Sequence, residues 1–101
     1  MNTYIFELYV TGDSVRSRHA VTTARALFQE RLGNGYELKV IDVLEHPDLA
    51  EGERILATPA LLRKAPEPVR RIIGDLSDHE KVLFALDLDS PLQTEEGVSD
   101  D

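Results

Sequence analysis

Cysteine is absent from this chain of 101 residues, which excludes disulfides, thiolate nucleophiles and Cys-ligated metals together. No apolar run approaches the roughly 20 residues that a membrane helix needs. The opening MNTYIFELYV has no basic leader and no small-residue cleavage site, so a secretory signal is not expected and the cytoplasm is the expected location. A basic excess is missing too: the formal net charge is -8, the wrong sign for nucleic-acid binding. The glycines make no phosphate loop. Gly33-Asn34-Gly35 precedes a strand rather than a helix, so the chain is not expected to bind ATP by itself.

What is present suits one small soluble domain with a modest core: 42% hydrophobic and 30% charged residues. The charge is unevenly placed. Six acids (Asp87, Asp89, Glu95, Glu96, Asp100, Asp101) and no base lie between 87 and 101, whereas all 11 Lys and Arg lie before them. The expected organisation is a single domain over 1–88 and an acidic, disordered tail over 89–101.

Tyr4 to Val10 (YIFELYV) is apolar except at Glu7 and reads as a buried strand. Thr11-Gly12-Asp13-Ser14 supplies a turn and a helix cap. From Val15 to Leu32 the period is helical: Val21, Ala24, Phe28 and Leu32 form one stripe with Leu27 beside it. Tyr36 to Leu44 reads as a second strand, parallel to the first across the helix. Pro47 to Glu53 reads as a short helix. Ala60 to Lys64 and Val69 to Ile73 read as two strands joined by Ala65-Pro66-Glu67-Pro68, and Ser77-Asp78-His79-Glu80 as a capping box opening a last helix. The order is βαβαββα, an α/β fold of the thioredoxin type. The second half is less committed locally, because LATPALLRK and VRRII carry residues that favour helix as readily as strand. Two packings of that half can lie within a few kcal/mol of each other.

Nothing in the chain reads as catalytic. The turn that holds the reactive thiol in thioredoxin-like enzymes is Thr11-Gly12-Asp13-Ser14-Val15-Arg16 here, and Ser14 or Ser17 without an adjacent base reads as a cap. His19, His46 and His79 lack helical ligand spacing. Asp42, Glu45 and Asp48 show no spacing that singles out an acid/base pair.

Three stretches resemble the KaiB family of bacterial circadian clock proteins: NTYIFELYVTG (Asn2 to Gly12), KVIDVLEHPDLAE (Lys39 to Glu51) and ILATPALLRKAPEPVRRIIGDLS (Ile55 to Ser77). The resemblance implies a non-enzymatic regulator without cofactor. It would bind a KaiC-type hexameric ATPase in a phosphorylation-dependent way, promote its dephosphorylation phase and recruit KaiA, a histidine kinase or another output protein. It also implies a homo-oligomeric free state, tetramer or dimer, and a fold switch between a βαββααβ ground state and the thioredoxin-like form. Arg54 and His19 match the basic positions that contact KaiC. His19 replaces an Arg and lacks its permanent charge, with Arg18 adjacent. Tyr36 and Lys39 match the strand that recruits the next partner. Pro59, at the position of the thioredoxin-fold cis-proline, and Pro66, Pro68, Ala85 and Asp87 lie in the region implied to refold, and the isomers of the three prolines stay open. Ala85 stands where relatives often carry Gly. Ala favours helix by roughly 1 kcal/mol, so this chain is expected to lean toward the thioredoxin-like form. A second implied identity is a detached SasA-type sensory module, which shares the fold and the same KaiC surface.

Overall fold

The computed structural model describes residues 3–88. The expected acidic tail over 89–101 lies outside the described residues.

Seven elements follow in the order anticipated: β1 (Tyr4–Val10), α1 (Val15–Leu32), β2 (Tyr36–Asp42), α2 (Pro47–Gly52), β3 (Ala60–Ala65), β4 (Arg70–Ile73) and α3 (His79–Ala85). The sheet order is β2-β1-β3-β4. β1 is paired on both sides, parallel to β2 and antiparallel to β3. That double pairing explains why its residues are apolar almost without a break. Its exception, Glu7, accepts a hydrogen bond from the buried Tyr9 hydroxyl at 2.9 Å. Burial first, and the Glu7 carboxylate next, push the Tyr9 phenol upward from its ordinary range.

Two apolar clusters lie on opposite faces of the sheet. The larger joins Phe6, Leu8, Leu61 and Ile72 to Ala24 and Phe28 of α1 and Val82 of α3. The smaller joins Tyr9, Ile41, Ala60 and Leu62 to Ala50 of α2. Alternate residues of β3 therefore serve opposite faces, as the period of two requires. The layers are α1 and α3, the sheet, then α2.

Helix boundaries have local causes. Ser14 caps α1 by accepting from the Ser17 amide. Gly33, at φ 60, ends it and donates its N–H to the Gln29 carbonyl. The α1 core stripe is shifted from the expected one. Ser17 and Ala20 are buried, whereas Val21 and Leu32 are only half-buried. Ser17 tolerates burial because its hydroxyl donates to the Thr11 carbonyl at 2.9 Å. At α3 the cap is Asp78, which accepts from the Lys81 amide, rather than Ser77, which is held by Asp75 through its own amide and hydroxyl.

Phe6 and Phe28 stack with ring centroids 3.8 Å apart, and both are fully buried. Phe28→Ala is expected to cost about 3–5 kcal/mol. Urea unfolding monitored by circular dichroism checks this; a loss under about 1 kcal/mol would show that the stack does not carry the core.

Candidate functional site

Loops converge at the end of the sheet where β1 finishes. Four segments meet there: the turn Thr11 to Ser14, the first turns of α1, the stretch Arg54 to Pro59 before β3, and Gly74 to Leu76 after β4. They are tied to one another. The Thr11 and Thr58 hydroxyls lie 2.6 Å apart, and the Gly74 amide donates to the Pro59 carbonyl at 2.8 Å. Gly12 turns the chain at φ 66, a region disfavoured for side-chain-bearing residues.

Asp42 fixes this turn from below. One of its carboxylate oxygens accepts from the Gly12 amide and from the Leu44 amide, each at 2.9 Å. These two backbone hydrogen bonds, Gly12 first, hold its carboxyl below the ordinary carboxylate range. Asp42 thus joins the end of β2 to the turn after β1. Among the described residues no group of three His, Asp or Glu side chains comes together as a metal site.

Arg54 sits just after α2 with φ 57, an unusual conformation for a side-chain-bearing residue, and its amide donates to the Glu51 carbonyl at 3.0 Å. It is exposed and lines a hollow of about 570 Å³ with Val43, Pro47, Ala50, Ile55 and Leu56. Leu56 is 91% exposed. Glu53 anchors the segment: its carboxylate pairs with Lys64, and its carbonyl accepts from Arg71 Nη2 at 2.9 Å.

His19 is exposed on α1 and lines a different hollow, of about 330 Å³, with Arg16, Pro59, Asp75 and Leu76. Arg18, next to it in sequence, turns toward the start of the helix, donating to the Asp13 carbonyl at 2.9 Å and pairing with its carboxylate at 3.3 Å. The two neighbours therefore serve different surroundings. Arg16 contributes to the His19 hollow and also to an adjoining one of about 320 Å³ beside Thr11, Ser14 and Thr58. In sequence Arg16 is only the last residue of the stretch Thr11 to Arg16 after β1; the packing places it between two hollows. Asp75 across the hollow is held below the ordinary carboxylate range by the Ser77 amide and hydroxyl, with smaller help from His19 and Arg16.

Tyr36 and Lys39 lie on β2, which is an edge of the sheet. The Tyr36 ring is half-buried, tilted against Phe28 at 5.5 Å, with its hydroxyl 3.5 Å from the Arg25 carbonyl. Its ring belongs to the core margin, whereas Lys39 and Val40 face outward. The three bonds preceding Pro59, Pro66 and Pro68 are cis. Ala85 ends α3 and packs against the larger cluster, and Asp87 follows at φ 60.

A KaiB domain profile matches residues 7–88. The chain is 57% identical over 86 residues to a circadian clock oscillator protein KaiB of Prochlorococcus marinus, covering 85% of this chain and 74% of that protein. It is 49% identical over 88 residues to the circadian clock protein KaiB3 of a Synechocystis species, covering 87% and 86%. In fold it is similar to the N-terminal domain of Synechococcus elongatus SasA, with a TM-score of 0.72, 24% identity and coverage of 95% and 90%. It is also similar to mitochondrial thioredoxin 3 of Saccharomyces cerevisiae, with a TM-score of 0.65, 19% identity and coverage of 83% and 79%.

Because the Asp42 carboxyl is held below its unfolded value of 3.8, its contribution to stability is present above that pH and lost as pH falls through the lower folded value. Thermal melts of Asp42→Ala against the parent chain should differ most near neutrality, and the difference should shrink as pH falls through the lowered folded value. A gap that does not shrink as the carboxyl is protonated would show that the charge of Asp42 is not what holds the turn.

Proposed function

The chain belongs to the KaiB family, and from that premise we propose that it acts as a non-enzymatic clock or clock-like timing regulator that docks on a KaiC-type hexameric ATPase. The observation that carries the reading is the pairing of Arg54 with Leu56. An exposed cation at φ 57 stands two residues from the most exposed large apolar side chain among the described residues, 91% accessible. A cation beside an apolar anchor suits a partner surface with acidic loops around an apolar patch. His19 and Arg16 add basic character on the neighbouring wall, and Arg18 adds charge near the α1 cap. Docking is phosphorylation-dependent on the partner's side and promotes its dephosphorylation phase.

The second contact of the proposal is the free edge of β2. Backbone groups there are open to pairing, with Lys39 and Val40 exposed beside them, which suits strand addition by an output protein, KaiA or a histidine kinase. The proposal extends to the free state: a homo-oligomer in the βαββααβ order exchanges with the form described here, and the partner selects the latter. Pro59, Pro66, Pro68, Ala85 and Asp87 all lie in the exchanging half. The SasA-type reading has the fold likeness in its favour, but that likeness comes at 24% identity, below the identities to KaiB proteins.

Size exclusion with light scattering, on the chain alone and after incubation with a KaiC hexamer and ATP, tests this. An oligomer that slowly yields a ring-bound complex is expected, and Arg54→Glu should weaken that complex by about tenfold or more while Arg54→Lys retains it. A monomer that binds at once would favour the SasA-type module. No complex in any phosphorylation state of the ring would remove the clock reading, and undiminished binding by Arg54→Glu would move the contact elsewhere.

A further inference from the structure

Arg63 is the feature of the sheet that the rest of the fold leaves unaccounted for. It lies on β3 and is only 4% exposed, yet it is a permanent cation. Its Nη2 donates to the Pro68 carbonyl at 2.9 Å, and its Nε is buried with no hydrogen-bond partner. No carboxylate pairs with it among the described residues. A buried guanidinium in this state carries a desolvation penalty that a single carbonyl only partly offsets.

The strand opposite makes the penalty larger. Register places Arg63 directly across from Arg70 of β4, and facing residues of an antiparallel pair project on the same side of the sheet. That side is the α1–α3 side, since Leu61, two residues before Arg63, and its partner Ile72 both belong to the larger cluster. Like charges directly opposite one another weaken a strand pair. Arg70 forms no ion pair among the described residues, and neither does Glu67 in the intervening turn. Arg63 lines none of the hollows described above, so an incoming anion has no evident path to its Nε.

Opposing forces hold β4 in place. Ile72 is buried in the core, and on the other face Arg71 reaches the Glu53 carbonyl at 2.9 Å and its carboxylate at 3.9 Å. β4 is thus anchored on both faces, by Ile72 on the α1–α3 side and by Arg71 on the α2 side, and loaded at its first residue, where Arg70 faces Arg63. It is four residues long and forms the edge of the sheet opposite β2.

We propose that the facing arginines Arg63 and Arg70 are a built-in release for the β3–β4 hairpin: β4 parts from β3 more readily than β2 parts from β1, because parting returns the Arg63 guanidinium to water and separates it from Arg70. The release is a property of the chain alone and needs no partner, so it stands or falls apart from the clock reading. Its consequence is directional. Opening begins at the turn Ala65 to Val69, where the two arginines sit, and uncovers the backbone of Leu61 to Arg63 before the β1–β2 pair is disturbed.

Native-state amide hydrogen exchange on the full chain tests this, with Arg63→Met and Arg70→Glu as the variants. The first replaces the buried charge with an apolar side chain of similar length, and the second sets a carboxylate opposite it. In the parent chain, β4 amides bonded to β3 should exchange faster than β2 amides bonded to β1, although both are edge strands. Each variant should narrow that gap by about tenfold, and Arg63→Met should raise Tm by roughly 4–8 °C. An unchanged or widened gap in either variant overturns the proposal, as does a parent chain in which β4 exchanges no faster than β2. Should Arg63→Met fail to fold, Arg70→Glu decides alone: a narrowed gap supports the release, and any other result overturns it.

Discussion

Phe6 lies face to face with Phe28, ring centroids 3.8 Å apart and planes within 8°, and the placement of α1 on the sheet follows from that contact. β1 is the strand with neighbours on both sides, so a helix pinned to Phe6 is pinned to the middle of the sheet. Tyr36 leans on Phe28 from β2 and Tyr4 lies parallel to Phe6, so the aromatic group also marks where β1 and β2 begin. With the C-terminal end of α1 held there, its first turns are carried to the far end of the sheet. They meet the chain leaving β1 and the chain entering β3, and the exposed cations of the rim are placed as a result.

The polar groups divide into those the fold satisfies and those it does not. Ser17, Tyr9 and Asp42 are each matched to a named partner: a carbonyl, a carboxylate and two amides respectively. Each match joins two elements or braces one, so these residues give the turn and the strand ends one geometry. Arg63 is the contrast. One carbonyl serves a buried cation whose strand neighbour is another cation. The same sheet is therefore tightly specified between β1 and β2 and electrostatically loaded between β3 and β4. The less specified side is also the side whose sequence showed weak local preference.

Much of the architecture was legible because local and tertiary demands coincide in the first half. YIFELYV is apolar because both of its edges and both of its faces are covered, and GNG stops the helix after its eighteen residues. In the second half the elements were legible but their details were not. Ser77 resembles a cap in sequence, but Asp75, two residues earlier, captures its amide and hydroxyl and leaves the capping to Asp78. Ser14 and Ser17 both read as caps in sequence, but Ser14 does the capping and the Ser17 hydroxyl goes to the Thr11 carbonyl. Arg16 carries no signal of its own in the sequence, and its place between two hollows depends on how Pro59 and Asp75 pack against the helix.

By itself the sequence determined the element order, the absence of thiol chemistry and the family, because periodicity, residue inventory and long matched stretches are properties of the chain alone. Only the tertiary structure decided which arginines face solvent, which face each other and which is buried. Charges carry no periodic signal, and their surroundings come from strand register and from segments distant in sequence. Arg63 and Arg70 are seven residues apart and look like an ordinary basic stretch. The antiparallel pairing of β3 with β4 sets them opposite one another, and the core that closes over Arg63 turns that proximity into a cost.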